Sequence, residues 1–421
     1  MKNSKIFYGW WVVLGSAIIL AMLGPASVAV ANIFQSPITA KFNITNSQFS
    51  LSNSFVLGVG IFLSPFASQQ LMSGNFKKIY TTNLIIYALA YIGYGFAPNI
   101  YIYYLLSLLV GYGFLSTTIL PASILVNNWF IYKRGLALSL AFTGLGVGGV
   151  IFSQLVTFLI EFVGWRQTYI IYGVLMLAVV LPIIWFLIQV KPEDIGLKPL
   201  GSEISTTNQV DVKEQTQAVD LSVSQTLTKP FFLLLVIGTT LLGIVNNGGL
   251  AQFPPVLTSL HGAGMAATVI SVYSAVGIIG KLVLGNISDR FGVLISTIYA
   301  CTLLVLTYFA MMFANNVIIA MIMGVLFGMG NAIATILPPL LTSSIYSSDQ
   351  FSKAYGYVNS GMQLGMTLGS LFTAGIADLT GSYNYSWIIL AILSTMSAIL
   401  WIGSYNNAQK YISSTKNTRS A

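Results

Sequence analysis

Side chains able to do chemistry are scarce in this chain. Its 421 residues hold one histidine (His261), one cysteine (Cys301) and ten acids. That inventory gives no convergent nucleophile and base, so no catalytic residue is expected and the chain is not an enzyme. It contains no GxxxxGK[ST] loop, no metal-ligand cluster and no basic-aromatic face, so neither cofactor, metal nor nucleic acid is expected. A lone cysteine also rules out a disulfide within the chain. The residue whose type and place could do chemistry is Lys281, in the stretch SVYSAVGIIGKLVLGNISDRFG from Ser271 to Gly292. Apolar residues surround it, and no acid stands beside it in sequence. Asp289 marks the end of the apolar run, and 289 − 281 = 8 residues, which at about 1.5 Å each sets Lys281 roughly 12 Å deep. Half a hydrocarbon core is about 15 Å, so this is close to the midplane. A lysine there costs on the order of 3 kcal/mol and normally faces a bundle interior or a watery cavity. The alternative is snorkelling to the interface, but a side chain of about 6 Å stops short of the headgroups from this depth.

Positioning such a lysine requires membrane spans. Of the residues, 56% are hydrophobic and 7% charged, against about a quarter charged in water-soluble domains. Apolar stretches of about 20 residues predict an all-α membrane protein of twelve transmembrane helices. Six fall at 8–34, 50–72, 79–97, 100–127, 135–160 and 168–190, and six at 229–257, 265–287, 293–314, 316–344, 353–378 and 384–405. The first run exceeds a signal-peptide core, although Ala29-Val30-Ala31 resembles a cleavage site. The domains are therefore a six-helix bundle at 1–190, a flexible cytoplasmic linker at 191–228, and a second six-helix bundle at 229–421.

The bundles are copies. One offset of 217 relates Gly111 to Gly328, Gly113 to Gly330, Pro121 to Pro338, Gly144 to Gly361, Gly148 to Gly365 and the triplet Ile119-Leu120-Pro121 to Ile336-Leu337-Pro338. A repeat of six spans keeps its orientation, so an axis along the membrane normal should relate the halves. With the N-terminus inside, 15 of the 18 basic residues are cytoplasmic, which predicts a multi-pass plasma-membrane protein with both termini in the cytoplasm. Only Lys41 and Arg166 fall outside. Glu161 beside Arg166 reads as a structural pair or a solvated charge.

The six-plus-six pattern, central linker and glycine-rich fifth and eleventh spans resemble the major facilitator superfamily. Gly285-Asn286-Ile287-Ser288-Asp289-Arg290-Phe291-Gly292 looks like its cytoplasmic gating motif, with Gly285, Asp289, Arg290 and Gly292 as the motif residues. The first half has Met72, Ser73 and Asn75 at the matching offset, so only Lys77 and Lys78 remain there. Three further stretches, Tyr8-Gly9-Trp10-Trp11-Val12-Val13, Asn128 to Gly149 (NWFIYKRGLALSLAFTGLGVGG) and Gly164-Trp165-Arg166, are similar to the oxalate:formate antiporter and monocarboxylate transporter group. The glycines Gly144, Gly146, Gly148 and Gly149 read as packing that lets helices 5 and 8 slide.

This resemblance implies a carboxylate-binding cation at Lys281, where both groups carry an arginine. Lysine keeps the charge but lacks the two-pronged hydrogen bond. The second cation of the oxalate-type site falls at Met362, and its aromatic cage falls at Ala29, Ile119, Leu145, Gly330, Ala334 and Asn359, none aromatic. The monocarboxylate-type helix-1 lysine falls at Val28, and the acid one turn before the helix-8 cation falls at Gly277. One cation among small and apolar residues suits a monoanion better than a dicarboxylate. Thr118, Asn331, Asn359 and Gln363 are candidate hydrogen-bonding partners, with interhelical bonding as their alternative role. The expectation is a monomeric secondary active transporter in the lipid bilayer, moving a small organic monoanion by alternating access as an H⁺ symporter or anion exchanger. A rival is an exporter of apolar drugs or neutral metabolites on the same fold.

Overall fold

A computed structural model describes residues 7–27, 30–202 and 222–420, with backbone only at 46, 47, 73, 263 and 415–420. Lys2, Lys5 and Lys213 of the charge census, the middle of the linker, and Val28 and Ala29 lie outside the described residues, as do the side chains of Ser73, Lys416 and Arg419.

The chain divides into two compact units, Met1–Ile131 with Leu140–Ser202, and Tyr132–Ser139 with Glu203–Ala421. The first is built from α1 (Gly9–Ser27), α2 (Gln35–Phe42), α3 (Asn46–Ser73), α4 (Phe76–Phe96), α5 (Ile100–Thr117), α6 (Ile119–Trp129), α7 (Arg134–Val163, whose start, 134–139, falls in the second unit) and α8 (Trp165–Pro182). The second holds α9 (Pro230–His261), α10 (Ala263–Met312), α11 (Val317–Asn331), α12 (Ile333–Ile345), α13 (Ser348–Thr380) and α14 (Tyr383–Ser420). Among the described residues there is no sheet, only one isolated bridge.

Polar residues between the apolar runs start the helices. Thr45 and Gln48 form a capping box at α3, while the side chains of Asn75 and Asn99 accept from the amides of Lys78 at 3.2 Å and Ile102 at 3.0 Å to start α4 and α5. Such caps satisfy amides that have no partner within the helix. Nine helices among the described residues are long and apolar enough to cross a membrane. One of them, Gly264–Met312, contains two spans, because Gly292 takes a φ of 85° that breaks the helix between them. A side chain strains that backbone, so glycine suits the bend. The polar-rich helices α4 and α13 complete the twelve.

Span four is broken in mid-course, whereas span ten is divided at Ala332, which keeps helical geometry (φ −55°, ψ −24°). Pro121 has no amide to bond the carbonyl four residues back, which belongs to Thr117, and the chain departs from helical geometry at Thr118 (φ −111°, ψ −102°). The Tyr80 hydroxyl of α4 donates to that Thr117 carbonyl at 2.9 Å. A proline within a membrane span is tolerated when a neighbour satisfies the freed group in this way.

The 217-residue offset recurs in the packing. A Cβ on Gly111 would collide with the Val56 backbone, and one on Gly328 would lie 2.7 Å from the Tyr273 carbonyl oxygen; 56 + 217 = 273. Likewise Gly113 closes on Tyr87 and Gly330 on Leu303 and Leu304; 87 + 217 = 304. For Gly144 and Gly148 the reading as packing between helices 5 and 8 is corrected by the structure. Gly144 and Gly148 sit against the Ala17 and Ala21 carbonyls of α1, and their counterparts Gly361 and Gly365 sit against α9. The contact is so close that only a residue without a side chain fits.

The linker is ordered at both ends, which corrects the expectation of flexibility across 191–228. Its first part turns through Pro192–Ile195, and Leu200 then forms a parallel bridge to Phe130, with Leu200 N–H to Trp129 O at 2.9 Å and Ile131 N–H to Leu200 O at 3.0 Å. The Trp129 Nε1–H of the Asn128-Trp129-Phe130 signature donates to Gln189 O at 2.8 Å; its ring packs with Phe7 and Tyr8 at 5.7 and 5.6 Å, and the Phe130 ring packs with Phe7 and Trp10 at 6.0 and 4.9 Å. Two of the signature stretches therefore form one aromatic cluster. At the other end of the linker, the hydroxyls of Thr226 and Tyr346 lie 2.8 Å apart, and Lys353 Nζ donates to Ser224 Oγ at 2.9 Å.

Candidate functional site

Helix α10 positions Lys281, and its neighbours define the two surfaces on which that helix packs. A Cβ on Gly280 would lie 2.7 Å from the Gly328 carbonyl oxygen of α11, and one on Gly285 would collide with Gly135 and Ser139. Residues four apart share a helix face. Lys281, Gly285 and Asp289 therefore form one stripe, with Lys281 one turn from Gly285. Lys281 is half-buried. Its counterpart in the first unit, Ser64, is buried and donates to the Gly60 carbonyl at 2.5 Å.

At the foot of the stripe the Asp289 carboxylate accepts two amide hydrogen bonds at 2.8 Å, one from Gly135 to Oδ1 and one from Leu136 to Oδ2. Both amides belong to the first turn of α7, within the second unit. A carboxylate there satisfies orphan donors and meets the positive end of the helix dipole. Asp289 lies at the end of the helical run just before the Gly292 break between two spans, where burial pushes its carboxyl above the ordinary value. The Leu136 and Gly135 amides and the charges of Arg134 and Lys133 pull it back. Gly292 makes the bend, and Arg290 is exposed.

In the first unit Lys77 is bonded within its own bundle, while Lys78 is exposed. Lys77 Nζ donates to the Trp185 carbonyl at 3.2 Å. On the opposite side of the unit, Arg166 donates to the Ala97 carbonyl at 3.2 Å and lies 4.9 Å from the Trp165 ring, while Glu161 is exposed. Of the two readings of Glu161, solvated charge is the one that fits.

The four candidate hydrogen-bonding residues divide. Lys281, Asn331, Asn359 and Gln363 are in the second unit, and Thr118 is in the first. Asn359 and Gln363 are buried one turn apart on α13. The Asn331 side-chain oxygen accepts from Asn246 of α9, which leaves its amide hydrogens as its donors. The Thr118 hydroxyl donates to Phe114 O at 2.5 Å. Recognition of an anion needs donors, and Thr118 has directed its single one to its own helix. Asn246 was missed from sequence. Its signal was the intramembrane pair Asn246-Asn247, whose second member donates to Met366 O at 2.6 Å. No group of three or more His, Cys, Asp or Glu that could hold a metal is found among the described residues.

Comparison with known proteins gives the context of this site. The family model described as Major Facilitator Superfamily matches residues 12–343 and 235–420. The chain is 26% identical over 371 residues to an Escherichia coli (strain K12) protein described as uncharacterized MFS-type transporter YhjX, covering 85% of each chain. It is 24% identical over 408 residues to monocarboxylate transporter 13 of Rattus norvegicus, covering 93% of this chain and 88% of that one. A solved structure of the proton:xylose symporter XylE bound to 6-bromo-6-deoxy-D-glucose superposes with a TM-score of 0.73 at 14% identity, covering 94% of this chain and 96% of that one.

Proposed function

The chain belongs to the major facilitator superfamily, and from that premise we propose that it is a secondary active transporter of a small organic monoanion, with Lys281 as the substrate counter-ion. The carrying observation is the place of Lys281. It is a cation about 12 Å along the helix from Asp289, on the stripe that ends in the α7 cap. The first unit builds the same helix with Ser64, so the fold itself does not need the charge. The similarity to a monocarboxylate transporter supports a carboxylate ligand. Met362 at the position of a second cation supports a single negative charge, because a second carboxylate would meet no partner in a poorly solvated site. Asn359, Gln363 and the remaining Asn331 donors are the hydrogen-bonding groups of this reading, and Thr118 is the weakest of the four. Gly285, Asp289, Arg290 and Gly292 act as the gate, with the Asp289 cap as its latch. Transport proceeds by alternating access, as H⁺ symport or anion exchange, in a plasma membrane with both termini cytoplasmic.

Uptake of radiolabelled lactate and other short-chain monocarboxylates into proteoliposomes tests this reading. Lys281→Gln is expected to lower uptake at least about tenfold, the equivalent of about 1.4 kcal/mol, while Lys281→Arg retains a larger share. Equal uptake by wild type and Lys281→Gln would sink the counter-ion role. Uptake of neutral solutes alone would favour the exporter of apolar or neutral compounds.

A further inference from the structure

A cavity of about 370 Å³ opens beside the first turn of α9 and the 407–414 stretch of α14, lined by Lys229, Phe231, Asn407, Lys410, Tyr411 and Ser414. Lys229 Nζ lies 5.4 Å from the Tyr411 ring centroid, and the Phe231 and Tyr411 rings are 5.6 Å apart. The two helices are fastened here by Ser404 Oγ to Phe231 O at 2.6 Å and Ser397 Oγ to Gly238 O at 2.7 Å. The cavity floor is therefore a fixed part of the second unit.

Helical spacing connects this cavity to the lipid-facing surface. Lys229 is the N-cap residue of α9, and Leu233 and Ile237, four residues apart on one face of that helix, are both exposed. On α14 the exposed Ile388, Ile392, Met396 and Ile399 lead at three- and four-residue steps through Gly403 to Asn407, Lys410 and Ser414. Two apolar strips thus run up to one cavity that carries two ammonium groups and neutral hydrogen-bonding side chains. From Pro230 to Ile237 the strip covers eight residues of α9, about 12 Å of helix, comparable to one leaflet of the hydrocarbon core.

We propose that this cavity binds the phosphate headgroup of an anionic glycerophospholipid, with the acyl chains laid along the α9 and α14 strips. Two cations and no acid line the cavity, so it favours a phosphodiester with a neutral glycerol over one that carries its own choline cation. Basic clusters at the cytoplasmic edge of spans attract anionic lipid through this charge complementarity. The apolar strips distinguish a lipid from a free phosphate, which would gain nothing from them.

The test uses the full-length protein purified in detergent and supplied with equal amounts of phosphatidylglycerol and phosphatidylcholine, with retained lipid counted by native mass spectrometry. Wild type should retain phosphatidylglycerol preferentially. Lys229→Gln with Lys410→Gln should lower that retention about tenfold, whereas Lys229→Arg with Lys410→Arg should preserve it. Lys78→Gln with Lys198→Gln removes two exposed charges elsewhere and should leave it unchanged. Equal retention by wild type and the Lys229→Gln, Lys410→Gln protein, or equal retention of the two lipids by wild type, overturns the proposal. Displacement of phosphatidylglycerol by millimolar inorganic phosphate also overturns it and assigns the cavity to a soluble anion.

Discussion

At the residue scale, Asp289 carries a consequence that the lysine does not. Its carboxyl is held above the ordinary carboxylate value, chiefly by burial, so the folded chain keeps this proton more readily than the unfolded chain. Stability attributable to Asp289 therefore falls as pH rises from about 4 through its raised value. Asp289→Asn abolishes that titration, and it also loses one of the two acceptors facing the Gly135 and Leu136 amides. The melting temperature of wild type minus that of Asp289→Asn should be greatest near the lower end of this window and should shrink towards neutral pH. A difference that grows with pH would reverse the assigned direction. The helical register from Lys281 to Asp289 was legible in sequence because residues are counted along a helix from a polar boundary. The Asn246 to Asn331 hydrogen bond was not, because an amide pairing across 85 residues leaves no local pattern in either segment.

At the element scale, the glycines show what a sequence can and cannot say. Glycines repeated at an offset of 217 announced close approaches in both copies, and the structure contains them. Their destination was misread for α7, since a glycine reports that something comes near without naming the neighbour. Gly148 meets the Ala21 backbone of α1, whereas nothing lies within 4 Å of a Cβ on Gly58 in α3. Gly148→Val should therefore destabilise the protein by about 1–3 kcal/mol or more, as overpacking does, and Gly365→Val should behave alike in the second unit. Gly58→Val should cost less. Thermal unfolding followed by size-exclusion chromatography would rank the three, and a Gly58→Val protein as unstable as Gly148→Val would contradict this account of the packing.

At the scale of the whole molecule, the twelve spans were readable from hydropathy because a bilayer imposes one length on every helix that crosses it. The polar-rich α4 and α13 escape a simple apolarity test, yet the even count and the repeat required both. On the proposed reading, transport coupling would follow from substrate binding at Lys281. If the cation must be occupied for the protein to reorient, return of the empty form is slow and exchange is faster than net uptake. Preloading proteoliposomes with unlabelled monocarboxylate should raise the initial rate of labelled uptake several-fold. Equal rates with and without preloading, together with dependence on an inward proton gradient, would assign the protein to H⁺ symport.

The bridge between Leu200 and Phe130 has a practical side. Leu200 is sewn to the first unit by two backbone hydrogen bonds, and Val223 to the second by its amide on Gln350 Oε1 at 3.3 Å. The stretch of sequence joining the two units is thus counted from those stitches and not from the ends of the apolar spans. A fluorescent protein or an affinity tag spliced between 203 and 221 leaves both stitches in place, whereas the same insertion at 197–200 tears one out.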